Sequence, residues 1–434
     1  MFKIRLPFLT SFIIIFLNCE NPIDTNTLVK VGSRTITKND FIEAYSKRLI
    51  QSKIKDTNFE RDRVLNQLIR VKLFSEAAKL SNIKLDSIGK NRVQIYEEIA
   101  LREQLYDEII LPINIDISDS IARLHYEWKN TEIHLSHLFH NDKTVLDTIL
   151  PYLKNDTSQF KLFSSELFKN KNLKKSGGNL GWIKYDDLDP NLEENAFSIP
   201  YDIPSGPFRS SYGWHILLKK NSRKQMILDE NHYQHIKNKL NNDILKKKRQ
   251  IYANNYINNL LEKDVSIDDS ITYEILNKIN TIVFTKNKIK LNNNHEISKK
   301  FKNIILGLKS NEKTILAKFP GGEFTVNDLL NNLRTINPEL FLKNPVQQFY
   351  KSLRDKILTE KAKSKNLGEH PSVKLKIQSK IDENLARQYL LMNSSNQKDT
   401  HFSKEELENL VENLKSKIPI THHTKNQKKL FNTL

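Results

Sequence analysis

The sequence predicts an α+β chain in which a compact mixed domain over residues 131–222 is set between mainly α-helical segments. Three observations carry this. Apolar residues recur at helical spacing before the mixed stretch, Gly, Pro and short apolar runs gather inside it, and one long charged helical pattern follows it. At 434 residues the chain is long enough for two to four domains.

The elements follow in order. Lys3 and Arg5 give a positive start, Leu6 to Leu17 form a short apolar run, and Cys19 comes at once after it. A run this short suits a signal-peptide core rather than a spanning helix, which needs about 20 apolar residues. Phe16-Leu17-Asn18-Cys19 resembles a bacterial lipobox, so Cys19 is the expected lipid anchor of an exported protein, although Asn18 stands where that motif prefers Gly or Ala. A plain signal peptide with an incidental cysteine is the alternative. Residues 20–130 read as a helical module: a strand and turn near Val29, a helix capped by Thr37 with Asp40 three residues on, and helices around Val64–Leu80 and Asn91–Ile110 that end before Pro112. Beyond the mixed stretch, residues 223–264 read as one long helix.

Residues 265–393 read as a second helical module resembling the first. Phe324-Thr325-Val326-Asn327-Asp328-Leu329 parallels Ile36-Thr37-Lys38-Asn39-Asp40-Phe41. Lys356-Ile357-Leu358-Thr359-Glu360-Lys361-Ala362 parallels Lys72-Leu73-Phe74-Ser75-Glu76-Ala77-Ala78. Ala386 to Leu390 then echoes Leu101 to Leu105, in the same order and at nearly the same offset. The residues from 394 to 434 read as a polar tail, loosely ordered beyond one short helix near 403–416.

Composition narrows the function. Cys19 is the single cysteine, which excludes an intramolecular disulfide and a thiolate metal cluster. The net charge of +18 is spread over many segments. It reads as a solvated basic surface rather than a nucleic-acid stripe, and binding to acidic surface polymers is a further option.

Four blocks in the mixed stretch carry the chemical signal. They are Ile133-His134-Leu135-Ser136-His137, Ser176-Gly177-Gly178-Asn179-Leu180-Gly181-Trp182, Leu188-Asp189-Pro190-Asn191-Leu192 running on to Phe197, and Gly206-Pro207-Phe208-Arg209-Ser210 running on to His215. In this order and spacing they resemble the parvulin family of peptidyl-prolyl cis-trans isomerases. The helical flanks resemble those of SurA-like and PrsA-like envelope foldases.

The resemblance implies a small antiparallel sheet with surrounding helices, placed between chaperone-like helical modules. It implies that His137 and His215 are paired histidines beneath the substrate, that Ser210 joins their network where the family usually has Thr, and that Leu180, Leu188 and Leu192 line an apolar proline slot. Phe197 falls on the same short helix and is assigned to the core. Asn170 is the nearest match to an acidic or Cys position close to the twisting bond. The amide carries no charge, so reduced isomerase activity is expected. The partners implied are unfolded or partly folded exported proteins with X-Pro segments, together with a membrane through the N-terminal lipid. No nucleic acid, cofactor or metal is expected. His134 and His140 lack Cys or Glu partners at metal-ligand spacing, and Gly177-Gly178 lacks the Lys-Ser/Thr of a phosphate loop. Two functions stay open: an isomerase acting on X-Pro segments, or a non-catalytic chaperone whose mixed domain only binds peptide.

Overall fold

Thr37 ends a strand and starts a helix. In the computed structural model, strand β1 (Thr27–Val31) turns at Gly32 into β2 (Arg34–Thr37), pairing Val31 with Arg34 and Val29 with Ile36. Helix α1 (Lys38–Ser52) then opens on a capping box, with Asp40 N–H donating to Thr37 Oγ1 and the Asp40 carboxylate accepting from Thr37 N–H. The structure describes residues 26–168, 170–210, 213–224, 229–284, 302–333, 345–394 and 402–433. The expected signal segment and Cys19 lie outside these.

Two compact units make up the described chain. The first comprises the described residues up to Ala100 together with those from Glu369 on. It holds α2 (Asn58–Leu80), the first part of α3 (Ser87–Ile109) and the helix Pro371–Asn393. Leu28, Val31, Ile36, Phe41, Ile69 and Leu73 form its core with Val411, Leu414, Ile418 and Leu430 from the far end of the chain. The segment expected as a loose polar tail therefore differs from that expectation. It forms the helix Lys404–Lys415, a strand Ile420–His422 that pairs antiparallel with β1, and the helix Thr424–Phe431. Its few apolar residues suffice because each lands in one core, and β1 gains a partner for its second edge.

Asp382, 1 % exposed, accepts from Lys72 Nζ at 2.8 Å and Ser75 Oγ at 3.0 Å, and pairs with Arg34 Nη1 at 3.0 Å. This buried ionic network ties β2, α2 and the helix Pro371–Asn393 together.

The second unit, Leu101–Gly368, holds the mixed domain. Helix α4 (Asp119–Lys129) leads into β3 (Thr131–His140); α5 (Lys143–Asn155), α6 (Phe160–Leu167) and α7 (Lys171–Ser176) precede β4 (Asn179–Ile183). Helix α8 (Pro190–Ser198), β5 (Ser205–Arg209) and β6 (Trp214–Lys224) complete it, and α9 (Glu230–Asp264) follows. The sheet is antiparallel, in the order β4-β3-β6-β5. Alternate residues of β6 serve opposite faces: Ile216 and Leu218 join Leu138, Leu146, Leu153 and Phe160, while Leu217 joins Ile133, Leu135, Ala196 and Phe197. Phe197 thus sits in the core. No described helix is long and apolar enough to cross a membrane.

A second small sheet, β7 (Ser266–Ile267), β8 (Ile315–Phe319) and β9 (Gly322–Thr325), ends on a cap like that of α1. Asp328 accepts from Thr325 N–H at 2.9 Å and Oγ1 at 2.8 Å, and its own N–H donates to Thr325 Oγ1 at 3.2 Å. The corresponding distances at Thr37 and Asp40 are 2.8, 2.8 and 3.2 Å.

Candidate active site

β3 and β6 are the central strands of the mixed sheet, and their register places His137 opposite Leu217 and His215 opposite Phe139. The two imidazoles are thereby diagonal neighbours. Their rings lie 5.5 Å apart and 20° from parallel, with Nδ1 facing Nδ1 at 3.3 Å. Ser210 ends the β5 side of the β5–β6 turn, where its N–H donates to Gly213 O at 2.8 Å. Its hydroxyl lies 2.9 Å from His215 Nε2. The structure brings these three side chains together.

Burial holds both rings neutral at ordinary pH. It pushes His137 down to about 4, and pushes His215 down to about 3 with help from the neighbouring His137. Two neutral imidazoles that share one Nδ1–Nδ1 contact must have opposite roles there, one donating and one accepting. If His215 donates, Ser210 donates to its Nε2 and His137 keeps a proton on Nε2. If His137 donates, His215 Nε2–H donates to Ser210 Oγ, which can pass its own hydrogen to Gly213 O at 3.3 Å. In both arrangements the open end of the chain is His137 Nε2, a buried atom without a hydrogen-bond partner among the described residues. The network is a neutral relay with one unspent group, not a charged acid–base pair.

Around the imidazoles stand Phe168, 5.1 Å from His137, and Phe139, 5.1 Å from His215. The sequence reading missed both as site residues. The two-residue alternation along β3 from His137 could have flagged Phe139, whereas nothing local marks Phe168. Gly178 backs His137 from β4's leading turn: its carbonyl accepts His137 N–H at 2.9 Å, its φ is +72°, and a Cβ there would lie 2.1 Å from His137 O.

Leu180 on β4 and Leu188 in the connection to α8 are half-buried against the cluster of Ile133, Leu135 and Leu217. Leu192 on α8 is 5 % exposed. Asn170 has a different use: its Oδ1 accepts from Asn172 N–H at 2.9 Å and Leu173 N–H at 3.2 Å, capping α7. Its carbonyl oxygen is therefore spent on backbone amides. His134 stacks edge-on against Trp182, and His140 Nδ1 accepts from Asp142 N–H. Among the described residues no three His, Cys, Asp or Glu side chains are grouped to hold a metal.

The family described as "Rotamase: PPIC-type PPIASE domain" matches residues 141–221, a range that starts just after His137. The foldase protein PrsA of Bacillus subtilis is 24 % identical over 264 residues, 57 % of this chain and 84 % of that protein. The chaperone SurA of Chromobacterium violaceum is 29 % identical over 76 residues, 18 % of each. The crystal structure of PrsA from Bacillus cereus is 15 % identical and covers 64 % of this chain and 98 % of its own, with a TM-score of 0.25. The family match over residues 141–221, joined to the paired imidazoles and the four-stranded antiparallel sheet, gives the mixed domain the character of a PPIC-type isomerase domain, in a chain similar to the PrsA foldases and, over a shorter stretch, to SurA.

Proposed function

We propose that the protein catalyses cis–trans isomerisation of X-Pro bonds in unfolded or partly folded exported proteins, while its helical modules hold those chains. An X-Pro bond turns over slowly because the amide must give up its resonance, a barrier of roughly 18–20 kcal/mol. A catalyst need only favour the twisted state, in which the nitrogen is pyramidal and the carbonyl less amide-like. The observation that carries the reading is the Ser210–His215–His137 relay with its single unspent nitrogen. A neutral, buried, prearranged group of this kind interacts with a rotating dipole without first shedding water.

In this reading Leu180, Leu188 and Leu192 form the slot for the proline ring, and His137 Nε2 faces the rotating amide. Asn170 contributes through its position at the head of α7, its oxygen being held by the cap. The names foldase and chaperone borne by the relatives support clients that are not yet folded. The apolar run ending at Cys19 supports export and attachment to a membrane of the cell envelope through a lipid on that cysteine.

A protease-coupled isomerisation assay on the full-length protein tests the activity. His137→Ala and Leu192→Ala are each expected to lower kcat/KM for an X-Pro peptide by about ten-fold or more, about 1.4 kcal/mol of transition-state stabilisation. Full activity in both variants sinks the catalytic reading and leaves a peptide-binding chaperone. Mass analysis of the mature N-terminus tests the anchor, since Cys19 either carries acyl chains or does not.

A further inference from the structure

Tyr185 lies in the connection from β4 to α8, and two helices outside the sheet hold it from two sides. Its hydroxyl meets Nδ1 of His125 on α4 at 2.6 Å, and Nζ of Lys247 on α9 stands 3.4 Å from the centroid of its ring. The same ammonium pairs with Asp186 Oδ1 at 2.7 Å and with the Glu193 carboxylate on α8. Glu193 Oε1 in turn accepts the Asp186 N–H at 2.5 Å. Beside this cluster Lys248 Nζ reaches Glu194 Oε1 at 3.3 Å, and Asn254 Nδ2 donates to Asn191 Oδ1 at 3.2 Å.

All of these contacts converge on residues 185–194, the stretch that carries Leu188 and Leu192. Glu193 is 2 % exposed. Burial raises its carboxyl above the ordinary range while Lys247 draws it back down, so the pair is a buried ionic contact. The histidines are fixed by strands. Leu188 belongs to no strand or helix, and Leu192 rides on a helix of nine residues.

We infer that Lys247, Tyr185 and Glu193 form a clamp through which α9 positions the wall of the proline slot, making them positioning residues for isomerisation. The inference rests on the reading of Leu188 and Leu192 as slot residues. The helical arm is then part of the isomerase rather than a tether for it. Because the clamp holds the segment that carries Leu188 and Leu192, and its hydrogen bonds and ion pairs among the described residues do not include His137 or His215, its loss is expected to act on substrate binding more than on turnover.

The test uses the full-length protein with Glu193→Gln and Lys247→Met combined, so that no lone charge is left buried. KM for an X-Pro peptide, measured by exchange NMR, is expected to rise about five-fold or more with kcat within about two-fold. Lys247→Arg, which keeps the cation, is expected to stay near the parent, and amide hydrogens of residues 185–194 should exchange faster in the double variant. An unchanged KM in the double variant, with KM raised by Leu192→Ala, overturns the clamp and leaves the slot intact. An unchanged KM in both overturns the slot and the clamp together. Should the double variant unfold, Tyr185→Phe deletes only the hydroxyl contact with His125. It is expected to raise KM by about two-fold, and an unchanged KM there overturns the clamp as well.

Discussion

Ser210 Oγ lies 2.9 Å from His215 Nε2, while the other nitrogen of that ring faces His137 Nδ1 at 3.3 Å. Both nitrogens of His215 are therefore committed inside the protein. The one ring nitrogen of the pair left without a partner among the described residues is His137 Nε2.

Ser210 is 2 % exposed, so its removal leaves a buried ring nitrogen unpartnered. Ser210→Ala is expected to cost about 1–3 kcal/mol of stability and, at about 1.4 kcal/mol per decade, to lower kcat/KM by about ten-fold. Ser210→Thr retains the hydroxyl and should stay close to the parent in both. Thermal unfolding and the isomerisation assay read the two effects, and a fully active Ser210→Ala protein removes the hydroxyl from the relay.

The pH response follows from burial. His137 sits near 4 and His215 near 3 in the fold, and His125 near 4, against about 6.5 for an exposed imidazole. The unfolded chain thus binds more protons than the folded one below pH 6.5. Stability is full above pH 6.5 and is lost progressively as pH falls toward 4, by about 3 kcal/mol for His137 alone. The isomerisation rate should stay flat from pH 8 to about 5 and drop near 4, where His137 gains its proton. A rate that halves near pH 6.5 would show an exposed imidazole and refute the buried relay.

Gly178→Ala is expected to cost about 3 kcal/mol or more, because the added Cβ meets backbone rather than a side chain that could move. The neighbour is the carbonyl of His137, so the strain falls on the strand that carries His137. Gly181→Ala is the control. Its φ is +78° but a Cβ there meets nothing within 4 Å, so the melting temperature should fall less than for Gly178→Ala.

Asp382→Ala leaves the buried Lys72 and the half-buried Arg34 without their shared carboxylate. A loss of about 3–5 kcal/mol is expected, against a much smaller loss when Lys72→Met and Asp382→Leu are made together. Equal destabilisation by the single and double variants would show that packing, not charge, governs this contact.

The three residues of the relay were legible because each stands in a block that resembles a family motif: His137 in Ser136-His137-Leu138, His215 after Gly213-Trp214, Ser210 ahead of the turn before them. The cap at Thr37 was legible for a local reason as well, since its partner Asp40 is three residues away. What stayed hidden depends on distance along the chain. Nothing within residues 420–422 announces a strand, and only pairing with Val29 to Val31 makes it one. Asn170 was assigned by register to the reaction, yet the amides of Asn172 and Leu173 compete for its oxygen and win. Likewise Lys247 looks like one more cation of a charged helix until the fold sets it over Tyr185.

The pairing of Ile420–His422 with β1 joins the last part of the chain to its first sheet. A chain made from its N-terminus delivers β1 long before this closing strand. The opening hairpin must wait with one edge bare and Leu28, Val31 and Ile36 uncovered by Ile418 and Leu430. The first unit therefore matures only once residues 418–430 have been delivered, however early its opening hairpin is made.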